Sequence, residues 1–406
     1  MAETVSGFGS YVTTIALQVL VVLTLSGTAT DVGLLNASRW LPYLLFGLIV
    51  GALVDHRRRK PILVATDLGR GMLLGGIPIL WLLGWLSLPV LMVFVALFGV
   101  LSLLNDSASQ SFLPRLVPQS SLLPANARLD QSAAVAQTSG PLVAGGLVTV
   151  LGAPIAVLVD AASYLFSAAA VSRIRTTEPK SSGNDQPLNL RRDIGEGLRW
   201  VYRHHTLAPL ALTGHGWFLF NSMLVTVFVP FALLGLHLTP FEFGVTLASA
   251  GVTGFLGSLF STRIGLQWGA GRTVIACSAL MPIAWAIIAL VPVNTACHNR
   301  WITIAVVAVG QGLYGLALGL QNANEMGYRQ AVTPDSLQSR MNTTIRSVNR
   351  AMIVVGAPVG GLLADGLGYR PTFWIAIAGI VLVAVILAIS PFRRAWHGDA
   401  PPQEPT

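Results

Sequence analysis

Ionisable side chains are rare in the apolar stretches of this sequence, and those that occur there are the first candidates for chemistry. Asp160 stands thirteen residues before Arg173, which is about 20 Å along a helix. His215 also lies inside an apolar stretch, whereas Asp106 and Glu325 stand near the ends of theirs. Charges inside a bilayer are costly, so such residues often belong to proton or ion pathways. The sequence predicts these four as proton-coupling candidates, with Asp160 favoured; side chains satisfied only by their neighbours are the structural alternative.

Arg39 is a cation that lies at a depth comparable with that of Asp160. It stands sixteen residues before Asp55, or about 24 Å along a helix, and so could meet Asp160 at a similar level. We hypothesise that Arg39 and Asp160 form an intramembrane ion pair. The alternative is that local polar groups satisfy each of them separately.

Sequence patterns of several catalytic classes are absent. The chain has no His-Glu-x-x-His, no Gly-x-Ser-x-Gly and no Gly-Lys-Ser/Thr, which zinc proteases, serine hydrolases and phosphate-binding loops require. We therefore expect that the chain is not an enzyme and holds no cofactor and no metal. Coupling to ATP would need a separate subunit.

The composition indicates which elements position these residues. Charged residues make up 10% of the chain and apolar residues 53%, and a bilayer core is crossed by about 20 apolar residues in a helix. The pattern predicts an all-α membrane protein with twelve transmembrane helices. The predicted spans are 5–25, 34–54, 61–83, 87–104, 131–150, 154–171, 207–235, 243–262, 273–292, 301–323, 346–365 and 371–390. The first carries Ser10, Thr13, Thr14 and Gln18, which indicates a helix facing a polar cavity.

Basic residues determine the predicted orientation. With the first span entering from the inside, twenty-one arginines and lysines fall on that side, against three on the other. Basic loops stay in the cytoplasm, so both termini are predicted to be cytoplasmic, in a multi-pass protein of the bacterial inner or plasma membrane. The net charge of +8 is explained in this way, and we expect no nucleic-acid partner.

The longest loop divides the spans six and six. We expect an N-terminal six-helix bundle over 1–171, a cytoplasmic linker over 172–206, a C-terminal six-helix bundle over 207–392 and a cytoplasmic tail over 393–406. Within the linker, the segment 178–187 reads as flexible. Leu190 to His205 has apolar residues at helical spacing among charges, which predicts an amphipathic helix.

The two halves resemble each other. Gly140-Pro141 followed by Gly152 is echoed by Ala357-Pro358 followed by Gly368. A duplicated six-span unit predicts two pseudo-symmetric bundles that rock about a central site.

The loop after the second span carries the sharpest motif. Gly51-Ala-Leu-Val-Asp55-His-Arg-Arg-Arg59-Lys60 resembles the signature loop of the major facilitator superfamily. The resemblance implies the twelve-helix fold named for that superfamily and a gating loop at the cytoplasmic face. The residues assigned to this gating group are Gly51, Asp55, Arg59, Lys60, Asp67 and Arg70.

Further stretches resemble the macrolide-efflux and enterobactin-exporter branch of the superfamily. They run in order along nearly the whole chain: Arg39-Trp-Leu-Pro42, Ala65-Thr-Asp67-Leu-Gly-Arg70, Leu113-Pro-Arg-Leu-Val-Pro118, Asp160-Ala-Ala-Ser163-Tyr164 and Glu196-Gly-Leu-Arg-Trp200. Gly140-Pro141 with Gly145-Gly146 resembles the antiporter motif of the fifth span. In the family this motif marks exporters rather than importers.

The resemblance implies an exporter of drug-, macrolide- or siderophore-like molecules that uses proton antiport and alternating access. An exporter of an endogenous natural product and an uptake symporter are alternatives, and a membrane sensor or scaffold is a more distant one. The expected partners are the lipid bilayer, a small-molecule substrate and protons, with a monomer as the default. Polar and aromatic residues on cavity-facing spans are the candidates for substrate contact: Gln18, Arg39, Trp217, Phe220, Asn221, Gln311 and Tyr314.

Overall fold

The computed structural model describes residues 2–55, 58–116, 122–174, 190–293, 300–396 and 398. Within these residues the regular secondary structure is helical throughout. The α-helices are α1 (Ala2–Val19), α2 (Ala29–Asp55), α3 (Arg59–Leu82), α4 (Leu88–Leu116), α5 (Leu122–Leu151), α6 (Ala153–Ser172), α7 (Leu190–Arg203), α8 (Leu207–Pro230), α9 (Pro240–Trp268), α10 (Ala270–Ala289), α11 (Arg300–Val332), α12 (Asp335–Leu367) and α13 (Tyr369–Ile389).

Twelve of these helices coincide with the twelve predicted spans, and the shorter α7 is the predicted amphipathic helix. In the part of the chain that is described, eleven segments are long and apolar enough to cross a bilayer, and α2 supplies the remaining position. The all-α, twelve-helix fold is therefore confirmed. The predicted flexible segment 178–187 lies outside the described residues.

Several helices are longer than the predicted spans. Helix α11 continues beyond residue 323 to Val332, and α12 begins eleven residues before residue 346. Arg329 and Arg340 lie in these extensions. Apolarity marks only the part of a helix inside the bilayer, so charged extensions escape a prediction based on hydropathy.

The chain divides into two compact units. Unit 1 comprises residues 1–188 and 232–248, and unit 2 comprises 189–231 and 249–406. Unit 1 therefore holds α1–α6 and the first turns of α9, while unit 2 holds α7, α8, the rest of α9 and α10–α13.

The first helices of the two halves end in the same way. A π-helical turn, Leu20–Thr24 or Phe231–Gly235, is followed by a residue with positive φ, Ser26 at 51° or His237 at 53°. These paired irregularities support the duplication that the sequence predicts.

The next helix of each half begins with a capping box. The Thr28 backbone N–H donates to Asp31 at 2.8 Å and the Asp31 N–H donates back to the Thr28 hydroxyl at 3.3 Å. Thr239 and Glu242 repeat this arrangement at 2.8 and 3.3 Å. Such reciprocal bonds satisfy backbone donors that a helix start leaves unpaired.

The final helix pair of each half also turns at equivalent glycines. Gly152 between α5 and α6 has φ of 78°, and Gly368 between α12 and α13 has φ of 92°. Because a side chain disfavours this region, both turns require glycine. The predicted correspondence between these two glycines is confirmed in their backbone geometry.

Helix α7 packs against α12 inside unit 2. Glu196 forms an ion pair with Arg340 and accepts a hydrogen bond from Arg192 at 2.8 Å. Trp200 Nε1 donates to the Thr333 hydroxyl at 3.3 Å. Charged and indole contacts therefore hold the amphipathic helix against the extended start of α12 and the segment just before it.

Candidate functional site

Asp160 is the most deeply buried carboxyl group among the described residues, with no exposed surface. It lies on α6, where Oδ2 accepts a hydrogen bond from the Thr13 hydroxyl of α1 and Oδ1 accepts one from Ser163 at 2.9 Å. An ionised carboxylate at such a position requires compensating donors, and a neutral one avoids the cost of burying charge. The site can therefore hold Asp160 with or without its proton.

Glycine at position 9 makes room for this carboxyl group. A Cβ atom at Gly9 would collide with Asp160 Oδ1 and would lie 2.6 Å from Ser163 Oγ. Helix α1 thus approaches α6 closely at the level of Asp160, which allows Thr13 to reach it.

The direct ion pair hypothesised between Arg39 and Asp160 is not formed in this structure. Arg39 Nη1 donates to the Thr14 hydroxyl at 2.7 Å, while Asp160 is held by Thr13 and Ser163. Two adjacent threonines of α1 therefore bind the cation and the carboxyl group separately. The hypothesis failed because helix depth predicts the level of a residue but not the direction of its side chain.

A buried ion pair lies next to this carboxyl group in unit 1. Asp67 and Arg70, both on α3, are bonded to each other, and Asn105 of α4 donates to Asp67 at 3.1 Å. The Arg70 guanidinium lies 4.2 Å from the centre of the Tyr164 ring, and the Tyr164 hydroxyl is hydrogen-bonded to Ser10 at 3.1 Å. Asp67 and Arg70, two of the four members of the predicted gating group on α3, are thus part of the buried polar interior.

The start of the gating group is only partly described. The side chains of Gly51 and Asp55 lie outside the described set. Arg59 is buried at the start of α3, and Lys60 Nζ donates to the Ile174 carbonyl oxygen at 2.8 Å. Lys60 thereby links the beginning of α3 to the chain just after α6.

The antiporter-like motif brings two backbones into contact within unit 1. A Cβ atom at Gly145 of α5 would lie 2.5 Å from the Pro240 carbonyl oxygen, and one at Gly244 of α9 would lie 2.5 Å from the Pro141 carbonyl oxygen. Gly146, in contrast, faces more open space, with Phe241 at 3.9 Å.

The preceding glycine of the motif has a different neighbour. A Cβ atom at Gly140 would lie 2.8 Å from the Tyr11 ring of α1. The motif therefore permits two close approaches of α5, one to α1 and one to α9.

The remaining proton candidates have distinct surroundings. Asp106 is exposed and accepts a hydrogen bond from the Tyr43 hydroxyl at 2.7 Å. Glu325 pairs with Arg329 at 3.4 Å on the same helix. Asp106, the candidate in the same unit as Asp160, is thus bound by Tyr43 and not by the groups that bind Asp160.

His215 of α8 is bonded on both ring nitrogens. Nδ1 lies 2.6 Å from Asn349 Oδ1, and Nε2 lies 2.8 Å from the Tyr202 hydroxyl of α7. The amide oxygen can only accept, so Nδ1 carries a proton and Nε2 of the neutral ring accepts from Tyr202. Burial raises the pKa of the Tyr202 hydroxyl above its ordinary value, which keeps it a donor at neutral pH.

Polar and aromatic groups of the predicted substrate set meet inside unit 2. The Tyr314 hydroxyl of α11 donates to Asn221 Oδ1 of α8 at 2.8 Å, and Trp217 Nε1 donates to the Met281 sulfur at 3.1 Å. Gln311, one turn before Tyr314, is 2% exposed. This cluster can offer both an aromatic wall and hydrogen-bonding groups to a bound molecule.

The other substrate candidates each have packing partners within their own unit. The Phe220 ring packs against Gly379 of α13. Gln18 is buried in unit 1, as is part of Arg39.

Trp285 is a member of this cluster that the sequence did not reveal. Its ring lies 5.4 Å from that of Tyr314. Among the described residues, Trp285 Nε1 and Gln311 Nε2 are buried donors without a hydrogen-bond partner. An unpaired buried donor costs about 1–3 kcal/mol, and an oxygen acceptor on a bound molecule would remove that cost. In the sequence Trp285 stands in an apolar stretch, where nothing separates it from an ordinary packing residue.

Twelve long helices, a duplicated set of helix boundaries and a buried polar interior define a polytopic transporter of the major facilitator class. The family model described as transmembrane secretion effector matches residues 1–405. The chain belongs to that family, and the resemblance seen in its motifs is confirmed.

Curated relatives extend over nearly the whole chain. Multidrug efflux pump Tap of Mycolicibacterium fortuitum is 24% identical, with 97% of this chain and 95% of that protein covered. Macrolide efflux protein A of Streptococcus pyogenes is 22% identical, with 93% and 92% covered. The crystal structure of the nucleoside transporter NupG has the same fold, with a TM-score of 0.73 at 11% identity over 95% of this chain and 96% of that one.

Proposed function

We propose that the chain exports small organic molecules across the bacterial plasma membrane in exchange for protons, by alternating access. Its relatives Tap and macrolide efflux protein A carry names of efflux pumps and match it over nearly their full lengths. Drug-, macrolide- or siderophore-like molecules are the proposed substrates. The distribution of basic residues supports cytoplasmic termini, and we propose a monomer with no nucleic-acid partner.

The observation that carries proton coupling is the setting of Asp160. This carboxyl group is fully buried, and Thr13 and Ser163 can donate to its ionised form. Arg70, with its partner Asp67, belongs to the same buried polar region through Tyr164, one helical turn beyond Asp160. A proton that enters Asp160 changes the charge of this interior, which is the change that a proton-driven cycle requires.

The proposed substrate site is the cluster of Asn221, Tyr314, Gln311, Trp217 and Trp285. Large rings suit bulky apolar molecules, and a few polar groups orient them. The unpaired donors of Gln311 and Trp285 support an acceptor-bearing substrate, such as a molecule rich in carbonyl or ether oxygens.

Accumulation of a labelled macrolide in cells that express the chain tests both parts of the proposal. Expressing cells should accumulate less than cells with an empty vector, and a protonophore should abolish the difference. Higher accumulation would indicate uptake, and unchanged efflux under the protonophore would exclude proton coupling. A panel of antibiotics and siderophores, at two external pH values, separates drug export from export of an endogenous product.

Asp160→Asn is the decisive variant because it preserves shape while removing the titratable proton. We expect at least a tenfold loss of proton-dependent efflux, since the side chain at position 160 can no longer bind and release a proton. Asp365→Asn, at an exposed carboxyl group of α12, is the matched control. Equal efflux by the Asp160→Asn protein at equal membrane abundance would remove Asp160 from the coupling mechanism.

A further inference from the structure

A groove lined by arginines lies where α10 begins and α13 ends in unit 2. Arg272 of α10 and Arg393 and Arg394, just after α13, line a cavity of about 440 Å³. All three side chains are exposed. A neighbouring cavity of about 430 Å³ shares Arg393 and Arg394 and is also lined by His205.

The chain after α13 is fixed against the start of α10. Residues Pro391–Arg394 form a single 3-10 turn, in which the Phe392 N–H donates to the Ser390 hydroxyl at 3.3 Å. The Gly271 N–H donates to the Ala395 carbonyl oxygen at 3.0 Å, and a Cβ atom at Gly271 would collide with the Phe392 carbonyl oxygen. Glycine at 271 therefore lets α10 contact the turn backbone to backbone.

Phe392 anchors the same turn to the interior of unit 2. Its side chain has no exposed surface, and its ring lies 5.3 Å from that of Tyr328. Arg393 and Arg394 follow this anchor directly and are held beside Arg272. The arginines thus belong to a built feature of the fold and not to a free tail.

The groove is strongly cationic. Among its described lining residues there is no aspartate and no glutamate, whereas three guanidinium groups are present. Guanidinium groups bind phosphate oxygens in pairs of parallel hydrogen bonds. The complementary ligand is therefore an anion, and a phosphate ester fits the chemistry best.

Apolar surface continues from the arginines along α10. Ala276, Ala279 and Ile283 follow Arg272 at spacings of four, seven and eleven residues, which places all four on one helix face. Ala276 and Ala279 are exposed, and Ile283 is 55% exposed. On α13, Ile389 is 72% exposed next to the turn. The two alanines leave a shallow channel, and a hydrocarbon chain would cover it.

We propose that this groove binds an anionic phospholipid. The phosphate lies between Arg272, Arg393 and Arg394, and an acyl chain follows Ala276, Ala279 and Ile283. Basic pockets at the ends of transmembrane helices select anionic headgroups in this way. The site is separate from the substrate cluster and goes beyond the proposed export function.

Native mass spectrometry of the full chain in detergent tests the proposal. Dioleoylphosphatidylglycerol is titrated into the protein, with dioleoylphosphatidylcholine as the zwitterionic lipid. We expect saturable binding of the anionic lipid, at least tenfold tighter than that of the zwitterionic one, since each arginine contributes about fivefold. Equal affinity for the two lipids would overturn the proposal.

Matched variants locate the site. The triple variant Arg272→Gln, Arg393→Gln, Arg394→Gln should weaken binding at least tenfold, and the corresponding triple lysine variant should retain most of it. A control that removes the same charge at scattered exposed positions, Arg173→Gln, Arg263→Gln, Arg346→Gln, should bind as the unaltered protein does. An equal loss in this control would show only general charge attraction and would refute the groove.

Two further measurements keep the test decisive. Glycerol-1-phosphate carries the anion without a chain, and it should compete only at a concentration at least a hundredfold higher than that of the lipid. Competition by glycerol-1-phosphate at the same concentration as the lipid would refute the role of the apolar channel along α10. Should the triple glutamine variant fail to fold, Arg272→Gln alone must weaken binding about fivefold, and unchanged binding in that variant would overturn the proposal.

Discussion

The interiors of the two units use different chemistry although their helices share the same boundaries. In unit 1, a buried carboxyl group and the buried ion pair of Asp67 and Arg70 lie among α1, α3, α4 and α6. In unit 2, the cluster formed by α8, α10 and α11 is joined by hydrogen bonds between uncharged groups, such as that of Tyr314 with Asn221, whereas the ion pair of Glu325 with Arg329 lies near the end of α11. The duplicated scaffold therefore leaves the polar interior free to diverge, with a buried carboxyl group and a buried ion pair in unit 1 and a neutral, aromatic cluster in unit 2.

This difference fits a division of labour between the halves. A buried charge responds to protons and tolerates few changes, because its partners must satisfy it. Neutral polar and aromatic groups respond weakly to pH and can accommodate ligands of varied shape. The proposed proton site is of the first kind, a buried ionisable group, and the proposed substrate site is of the second kind, a set of neutral polar and aromatic groups.

Breaking the ion pair of unit 1 should produce the largest loss of stability. Asp67→Asn leaves the Arg70 guanidinium buried beside a neutral amide, and we expect a loss of about 3–5 kcal/mol. Thermal unfolding in detergent measures the loss. The double variant Asp67→Asn, Arg70→Met removes both charges and should recover much of it; a double variant less stable than either single one would contradict the role of this pair.

The glycine contact of unit 1 gives the next largest effect. Gly145→Ala places a Cβ atom against the Pro240 carbonyl oxygen, and overpacking of this kind costs about 1–3 kcal/mol. Gly146→Ala is the matched control, since its nearest neighbour is at 3.9 Å. Melting temperatures and efflux rates of the two variants should differ clearly, and indistinguishable variants would show that the close approach has no consequence.

The hydrogen bond of unit 2 should contribute less to stability and more to binding. Tyr314→Phe removes a bond between neutral partners, worth about 1 kcal/mol. We expect a fall in macrolide affinity of several fold, with an unchanged response to external pH, because a tyrosine hydroxyl does not ionise near neutral pH. If efflux by this variant no longer depended on external pH, the proposed difference between the two units in their response to protons would be wrong.

The smallest effect concerns α7 on the surface of unit 2. Hydrogen bonding from Arg192, with the nearby charge of Arg340, lowers the pKa of Glu196. A lowered carboxyl pKa means that the stabilisation is present above the ordinary value of about 4.3 and is lost as the pH falls through the folded value.

Glu196→Gln should therefore lower the melting temperature slightly at pH 7, and the difference from the unaltered protein should vanish as the pH approaches the Glu196 pKa from above and passes below it. Arg203→Gln, exposed on the same helix but not among the charges that lower the pKa of Glu196, serves as the control. A difference that persists unchanged in acid would show that the ion pair does not act through its charge.

Much of the architecture could be predicted because the bilayer imposes a simple rule. Each crossing needs a long apolar helix, so the positions of the spans, the amphipathic α7 and the turn glycines Gly152 and Gly368 are visible in residue types alone. The motifs resembled those of the major facilitator superfamily, and the family model that matches residues 1–405 confirms the membership.

The partners of individual side chains could not be predicted. The sequence placed Arg39 and Asp160 at one depth. It could not show that Arg39 is hydrogen-bonded to Thr14 and Asp160 to Thr13. Trp285 looked like any other aromatic residue of an apolar span. Periodicity reports the helix and its level, whereas the rotation of each helix about its own axis depends on packing against helices remote in the chain.

By itself, then, the sequence determined the number and order of the helices, the glycines between the last two spans of each half and the family, because hydrophobic length and local backbone chemistry act over short segments. Only the tertiary structure decided which polar groups meet, how α5 contacts α9 within unit 1 and how Gly271 aligns Arg272 with Arg393 and Arg394. Those contacts join segments that are distant in the chain, and they form only when all the helices pack together.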